Sequence, residues 1–83
     1  MILIDCKGIL DARQLHEKLK TQLQFPDYYG YTLDALFDCL TSIRVETTIC
    51  LEGFVQLGDW KSRFLNTFSN VCQENPHIHI ILA

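Results

Sequence analysis

Three short apolar runs constrain the fold of this chain more than any other feature. They are Met1 to Ile4, Ile49 to Leu51 and Ile78 to Leu82, and helical patterns separate each run from the next. Strands that are apolar on both faces are typical of a parallel sheet whose crossover helices bury both sides. The pattern predicts an α/β fold in which a three-stranded parallel sheet packs with three to four helices.

The length of the chain indicates one domain. A chain of 83 residues buries only about 60–65% of its unfolded surface, which gives one modest core and little room for a large catalytic cleft. We therefore expect a single domain over residues 1–83. No apolar run approaches the roughly 20 residues that span a bilayer, so we expect no contact with a membrane.

The first and last helices have recognisable boundaries. The first is expected to start at Asp11, with Gln14 at the reciprocal position of a capping box, and to end at Pro26. Its core stripe is predicted to consist of Leu15, Leu19 and Leu23. The last helix is expected to open at Asp59 and to stop at Asn75-Pro76. Its predicted core residues are Trp60, Phe64, Leu65, Phe68, Val71 and Cys72.

Charge narrows the class of partner. Seven basic and ten acidic residues give a net charge of −3, which argues against nucleic acid as a ligand because phosphate backbones require clustered Lys and Arg. Residues 27–59 contain six acidic side chains and one basic one, for a local net charge of −5. This segregation predicts a positively charged partner; a solvated acidic face that serves only solubility is the alternative.

Cysteine and histidine usage favours neither disulfides nor a metal. No signal peptide precedes the cysteines and no CxxC spacing occurs. We expect Cys6, Cys39, Cys50 and Cys72 to be reduced, buried thiols of a cytoplasmic protein. His77 and His79 fall on one face of a strand, but two ligands are too few for zinc. We expect a polar face at the sheet end, no metal and no cofactor.

The most informative segment is residues 26–41. Thr32 is a predicted N-cap for a helix from Leu33 to about Ser42, and Gly30 is expected to supply a flexible backbone at the preceding turn. The apolar stripe of this helix is Leu33, Leu36, Phe37 and Leu40. The same spacing on another face carries Asp34, Asp38 and Thr41. One face is expected to pack and the other to be presented.

The two aspartates of this helix favour a binding role. Like charges at positions i and i+4 destabilise an isolated helix by roughly 0.2–0.5 kcal/mol, and a cationic partner would turn that penalty into attraction. Tyr28, Tyr29 and Tyr31 alongside are rigid amphipathic contacts of the kind found at interface centres. An enzyme using Asp34 and Asp38 as acid and base is the rival, but no phosphate loop, nucleophile elbow or catalytic Cys/His motif is present. We expect no enzyme activity and no catalytic residue.

The segment resembles the hallmark of the barstar family. The resemblance rests on Pro26-Asp27-Tyr28-Tyr29-Gly30 followed by Leu33-Asp34-Ala35-Leu36-Phe37-Asp38-Cys39-Leu40-Thr41, and it extends weakly through the whole chain, with gaps between residues 42 and 60. It implies a three-stranded parallel sheet packed with helices. It also implies that the second helix and its preceding loop enter a nuclease active site.

The resemblance assigns a role to each matching residue. Asp38 would mimic the scissile phosphate against arginines and a catalytic histidine, and Asp34 would pair with a neighbouring arginine. Tyr28 would lie over the catalytic imidazole, Gly30 would let the backbone approach closely, and Thr41 would add a hydrogen bond at the rim. The remaining predicted contact residues are Tyr31, Thr32, Ala35, Phe37, Glu46 and Asp59.

Several positions depart from the family pattern. Phe37 stands where tryptophan is common, Thr32 replaces an asparagine, and the stretch from Gly53 to Asp59 is shortened, which leaves Asp59 as a candidate for an additional acidic contact. The resemblance implies an inhibitor of a basic, secreted, barnase-type ribonuclease. An immunity protein of the same fold directed against a different secreted toxin is the alternative.

Overall fold

The chain folds into one three-stranded sheet and three α-helices, as expected for the α/β class. The computed structural model describes all 83 residues. The elements in chain order are β1 (Ile2–Asp5), α1 (Ala12–Leu23), α2 (Leu33–Thr41), β2 (Thr47–Glu52), a 3₁₀ turn at Phe54–Gln56, α3 (Lys61–Glu74) and β3 (Ile78–Leu82). The strands are parallel in the order β1-β2-β3. The predicted fold is confirmed.

All three helices cover the same face of the sheet. Strand order follows chain order, and successive right-handed crossovers that advance in one direction place their helices on one side. Four strand residues that face the helices have at most 2% exposure: Ile4, Ile49, Leu51 and Ile78. The core therefore lies between one face of the sheet and the helix layer.

The opposite face of the sheet is uncovered, so the expectation that helices bury both faces is wrong. Leu3, Cys50 and Ile81 are in register across the three strands, and Leu3 and Ile81 are 58% and 47% exposed. Apolar residues on both faces of short strands resemble a doubly covered sheet in sequence, whereas the direction of the crossovers decides whether a second helix layer exists. No helix of the structure has the length and apolar character needed to cross a membrane.

Local signals set the ends of α1. Asp11 is the N-cap and accepts a hydrogen bond from the Gln14 amide at 2.9 Å, as predicted. The Gln14 side chain instead accepts from the Leu10 amide at 2.8 Å, one residue before the reciprocal position of a capping box. The helix ends at Leu23, because Gln24 adopts the left-handed conformation with φ of 57°. The break therefore precedes Pro26.

The start of α3 differs from the prediction. Trp60, not Asp59, is the N-cap, and no side chain caps the helix. Phe64, Phe68 and Val71 are buried as expected. Leu65 is 43% exposed and Cys72 is exposed, so their predicted core positions are wrong. At about 100° per residue, both project well to one side of the arc that faces the sheet.

The four cysteines form no disulfide. Cys6 is fully buried, and burial raises the pKa of its thiol to about 11. Cys39 and Cys50 are half-buried, whereas Cys72 is exposed on the outer side of α3. The prediction of buried thiols is therefore right for Cys6 and wrong for Cys72.

Candidate protein-binding site

The helix α2 is built by short-range signals. Thr32 has extended backbone with φ of −121°, and its Oγ1 accepts a hydrogen bond from the Ala35 amide at 3.1 Å. Leu36 and Leu40 are fully buried against the core. The predicted cap and range are thus confirmed, and the cap together with the buried stripe fixes the orientation of the outer face.

The outer face of α2 carries carboxylates that have no cation within the chain. Asp34 and Asp38 are exposed, and so is Asp59 in the segment before α3. The ion pair between Lys7 and Glu52 and the contacts of Glu46 with two histidines all lie elsewhere in the molecule. Asp34 sits in the first turn of α2, where the helix dipole favours a negative charge. These carboxylates are therefore available to an external cation.

The three tyrosines before α2 have three different roles. Tyr28 is 88% exposed and free to contact a partner. Tyr29 is buried, and its hydroxyl lies 2.6 Å from Nδ1 of His16 on α1. Tyr31 is half-buried and donates a hydrogen bond to Glu17, also on α1. Tyr29 and Tyr31 anchor the loop, and Tyr28 is the one presented.

The anchoring pairs shift the ionisation of their members. Burial lowers the pKa of His16, which keeps the imidazole neutral. Burial also raises the pKa of Tyr29, so its hydroxyl stays protonated. The hydrogen bond to Glu17 is the largest cause that raises the pKa of Tyr31. The guanidinium of Arg13 lies 4.6 Å from the centre of the Tyr31 ring and adds a cation–π contact. These contacts hold the loop against α1.

The turn residue of the loop is Tyr31 rather than Gly30. Tyr31 has φ of 57°, in the left-handed region that bulky residues rarely adopt, while Gly30 does not have positive φ. A Cβ atom built on Gly30 would meet nothing within 4 Å. The predicted turn role of Gly30 is therefore wrong. Nothing inside the chain requires a glycine at this position.

Two hollows flank α2 and group the predicted residues. Tyr28 and Asp38 line one of about 370 Å³, on the side of the loop. Asp34 and Asp59 line another of about 730 Å³, between the N-terminal ends of α2 and α3. Tyr31 and Thr32 also line this larger hollow. The structure thus brings most of the predicted contact residues together around the outer face of α2.

The far side of α2 includes α3 residues that sequence reasoning missed. Phe37 is half-buried and shares a hollow of about 270 Å³ with Thr67 and Asn70. Ala35 is half-buried, and the hydroxyl of Thr41 donates to the Phe37 carbonyl at 2.7 Å. The Thr41 oxygen can still accept a hydrogen bond from a partner. Helical spacing predicts which residues of α3 lie on its polar side, but it does not predict which of them lie next to α2. No sequence signal therefore identified Asn70 as a neighbour of α2.

These observations can be set beside known proteins. Residues 1–76 match the family model described as "Barstar (barnase inhibitor)". The chain belongs to the barstar family. One relative is the protein named "Putative ribonuclease inhibitor YrdF" of Bacillus subtilis (strain 168). The two sequences are 39% identical over 70 residues, which cover 83% of this chain and 72% of that protein. The predicted resemblance to the barstar family is confirmed.

The family match stops before the last strand of this barstar-family chain. β3 begins at Ile78, two residues after the matched range. It pairs with β2 in parallel from Ile78 beside Thr47 to Leu82 beside Leu51. The structure therefore supplies the evidence that residues 78–82 complete the sheet.

Glu46 lies apart from the other predicted contact residues. It precedes β2, and its two oxygens contact Nδ1 of His77 at 3.2 Å and Nε2 of His79 at 2.9 Å. Hydrogen bonds from His79 and His77 lower the pKa of Glu46. It lines none of the hollows around α2. No group of three or more His, Cys, Asp or Glu side chains is placed to hold a metal ion.

A buried asparagine supports the C-terminal end of α2. Asn75 is 2% exposed, and its Nδ2 donates to the carbonyls of Leu40 at 3.0 Å and Ile43 at 2.9 Å. Its Oδ1 accepts from the His77 amide at 3.0 Å. One side chain thus links the end of α2 to the start of β3 and satisfies carbonyls that a helix end leaves free.

Proposed function

We propose that this chain inhibits a basic secreted ribonuclease of the barnase type by inserting the outer face of α2 and the loop before it into the active site. Membership of the barstar family supports an inhibitor role, and so does the printed name of the Bacillus subtilis relative. The observation that carries the proposal is that Asp34, Asp38 and Asp59 are exposed on one side of the molecule without any internal ion pair.

The chemistry of this face suits an active site built to bind phosphate. A nuclease must gather cationic groups around the scissile phosphate, and a carboxylate can take the place of that charge. In the proposal, Asp38 fills this place and Asp34 pairs with an adjacent arginine. Inhibition then requires no chemical step, because the helix occupies the site that RNA needs.

The loop before α2 contributes shape to the same contact. Tyr28 and Asp38 line one hollow, so an imidazole held against the Tyr28 ring would lie next to the Asp38 carboxylate. Gly30 leaves open space where a side chain would keep a partner away. Thr41 adds a hydrogen-bond acceptor at the rim. Tyr29 and Tyr31 hold the loop against α1, which reduces the entropy lost on binding.

The direct test is a titration of the chain into a barnase-type ribonuclease while RNA cleavage is followed. The expected result is stoichiometric inhibition by the native chain and loss of inhibition by Asp38→Ala. Glu74→Gln is the matched control, because Glu74 is exposed at the far end of α3 and forms no ion pair. No inhibition by the native chain would refute the proposal.

A different secreted toxin is the second candidate, and Glu46 favours it. Both oxygens of this predicted peripheral contact are engaged by His77 and His79, and Glu46 lines none of the hollows around α2, so the α2 face lacks the peripheral acid that the resemblance implies. A basic toxin with another rim would use the same α2 face. Tight binding to such a toxin, without inhibition of barnase-type ribonucleases, would identify this alternative.

A further inference from the structure

The open face of the sheet, on the side away from the helices, has an apolar band at its centre. Leu3, Cys50 and Ile81 lie side by side across the three strands, and Leu3 and Ile81 are 58% and 47% exposed. None of these three residues lines any of the five hollows of the molecule. The band is therefore flat, which suits another flat surface rather than a small ligand.

The end of the open face at the carboxyl ends of the strands is acidic. Asp5 lies beside Glu52 in the register of β1 and β2, and strand alternation puts both on the same side as the apolar band. Lys7 contacts both of them, through its backbone amide to Asp5 and through Nζ to Glu52. Two acids and one base leave this end with a net negative charge.

The end at the amino ends of the strands carries hydrogen-bond donors. His77 and His79 each contact one oxygen of Glu46, through Nδ1 and Nε2 respectively. The other nitrogen of each ring has no partner within the chain. Because an imidazolium donates from both ring nitrogens, a histidine held by Glu46 can donate at the same time to a carboxylate of another molecule.

The two ends of the open face complement each other when two copies meet face to face. A two-fold axis that runs across the strands reverses their direction, so that the acidic end of each copy lies over the histidine end of the other. A two-fold axis along the strands would instead bring like ends together. The distribution of charge thus selects the antiparallel arrangement, in which the apolar bands meet at the centre.

The open face can be covered by a second copy without burying an unpaired acid. Asp5, Glu46 and Glu52 each already have a contact within the chain, which reduces the cost of removing them from water. The extents of the molecule are 30, 26 and 20 Å. Since a sheet with one helix layer is thinnest across its layers, the open face has the two longer extents. Its outline is about 600 Å² per copy, so two copies bury about 1,200 Å², at the lower end of stable interfaces.

We infer that a second copy of this chain covers the open face, with the two sheets antiparallel, the apolar bands in contact, and each acidic end over the histidine end of the other copy. This inference does not depend on the proposed function. The helix layer lies on the other side of each sheet, so the two α2 faces of the dimer point away from each other. The dimer therefore leaves both α2 faces free for other proteins.

The first test uses the cysteines of the native chain. Brief pulses of iodoacetamide are given at rising protein concentration, and peptide mass spectrometry measures alkylation of Cys50 and Cys72. Cys50 lies at the centre of the inferred interface, whereas Cys72 is exposed on the outer side of α3. As the dimer forms, alkylation of Cys50 is expected to slow by at least about fivefold, with no change at Cys72.

Matched variants separate the open face from the rest of the surface. Leu3→Lys places an unpaired cation in the apolar band of each copy, and it is expected to weaken dimerisation by at least about tenfold in sedimentation equilibrium. Leu65→Lys makes the same change of charge at a leucine of α3 that is 43% exposed, and it is expected to leave dimerisation unchanged. Circular dichroism shows whether both variants are folded, and the alkylation of the native chain decides the question without them.

The edge strand β3 offers a competing way to form a dimer. Leu65 and Cys72 line a hollow of about 420 Å³ beside Ile80 and Leu82. Pairing of two copies through β3 would therefore protect Cys72 from alkylation and would be weakened by Leu65→Lys. That pattern would overturn the inference, and so would a chain that stays monomeric at every concentration or an unweakened dimer in Leu3→Lys.

Discussion

The open face of the sheet and the outer face of α2 both carry acidic side chains, but only on the open face does the chain itself supply contacts to them. Strand alternation places Glu46, Glu52, His77 and His79 on the open face of the sheet. There Oε1 of Glu52 lies 3.5 Å from Nζ of Lys7, and the carboxylate of Glu46 contacts both histidines. On the helix side, Asp34, Asp38 and Asp59 have no such partner.

This difference teaches that acidity alone does not locate a binding surface. An exposed ion pair contributes little to stability and leaves little charge for a partner. An exposed carboxylate without a pair raises the negative potential around it, which attracts cations from a distance. The predictions below test whether this contrast between paired and unpaired acids decides where the partner binds.

Removal of a central unpaired acid should have the largest effect. Asp38→Ala is expected to weaken binding to the ribonuclease by at least about 2 kcal/mol, because cationic groups of the enzyme would be left unpaired. Calorimetric titration measures this, and the thermal unfolding midpoint should change little. Glu46→Gln, which alters a paired acid, is expected to cost less than about 0.5 kcal/mol. Equal losses of binding free energy in the two variants would contradict the proposed difference between the unpaired acids of α2 and the paired acids of the sheet.

The hydrogen bonds from Asn75 to the C-terminal end of α2 should have the next largest effect, on the stability of the fold rather than on contact with the partner. Asn75→Ala removes both hydrogen bonds to the carbonyls of Leu40 and Ile43 at a buried position. We expect a loss of about 1–2 kcal/mol in the free energy of unfolding, measured in urea, because the Ile43 carbonyl loses its partner and the Leu40 carbonyl keeps only the long hydrogen bonds from backbone amides. His77→Ala is the control, since it removes only an exposed contact. A change of less than about 0.5 kcal/mol in the free energy of unfolding of Asn75→Ala would show that these hydrogen bonds do not stabilise the end of α2.

The salt dependence of the association rate should distinguish the outer face of α2 from the open face of the sheet. The association rate with the ribonuclease is expected to fall at least about tenfold from low to high ionic strength, with a smaller change in dissociation, since unpaired acids act over a distance that salt screens. Stopped-flow mixing measures both rates. In Glu46→Gln the salt dependence should stay as steep, whereas in Asp34→Asn it should become shallower. Association that ignores salt would contradict electrostatic capture.

The sequence was sufficient for features built from neighbouring residues. Thr32 as the cap of α2, and Asp34 and Asp38 on its exposed side, follow from spacing within one helix, because a cap and a helical stripe involve residues three or four apart. The three strands and the α/β class follow in the same way from short apolar runs. The family resemblance rested on this same continuous segment.

Features that depend on distant parts of the chain could not be predicted. The open sheet face results from the order of the strands. Glu46 meets His77 and His79 across 31 and 33 residues, and Asn75 reaches the end of α2 across 32 and 35. The buried and exposed tyrosines differ because of contacts with α1, although they are neighbours in sequence. No local period carries this information.

The acid dependence of stability should come from the buried His16 first. Burial lowers its pKa in the folded state below the ordinary value of 6.5, so the unfolded chain binds more protons. Its contribution is complete above about pH 6.5 and is lost as the pH falls from there through the lowered folded pKa. Glu46 has a pKa lowered from 4.5, and its contribution is lost only as the pH falls below that value. Urea unfolding at pH 7.5 and pH 5.5 measures the difference.

A matched variant assigns this pH dependence. His16→Gln keeps an acceptor for the Tyr29 hydroxyl and cannot be protonated. We expect a flatter stability profile between pH 7.5 and pH 5.5 than in the native chain. An equally steep profile in the variant would place the titrating group elsewhere in the chain.

The smallest effect is expected at Gly30, where folding and binding should respond in opposite directions. A Cβ there meets nothing within 4 Å and the residue does not have positive φ, so Gly30→Ala should leave the unfolding free energy unchanged or raise it by up to about 1 kcal/mol. The added methyl group would hold a close partner away and weaken binding by about 1 kcal/mol. Thermal unfolding and inhibition titration of the same preparation measure both. Unchanged affinity would mean that the loop stays clear of the partner, and that the unpaired acids of α2 act without it.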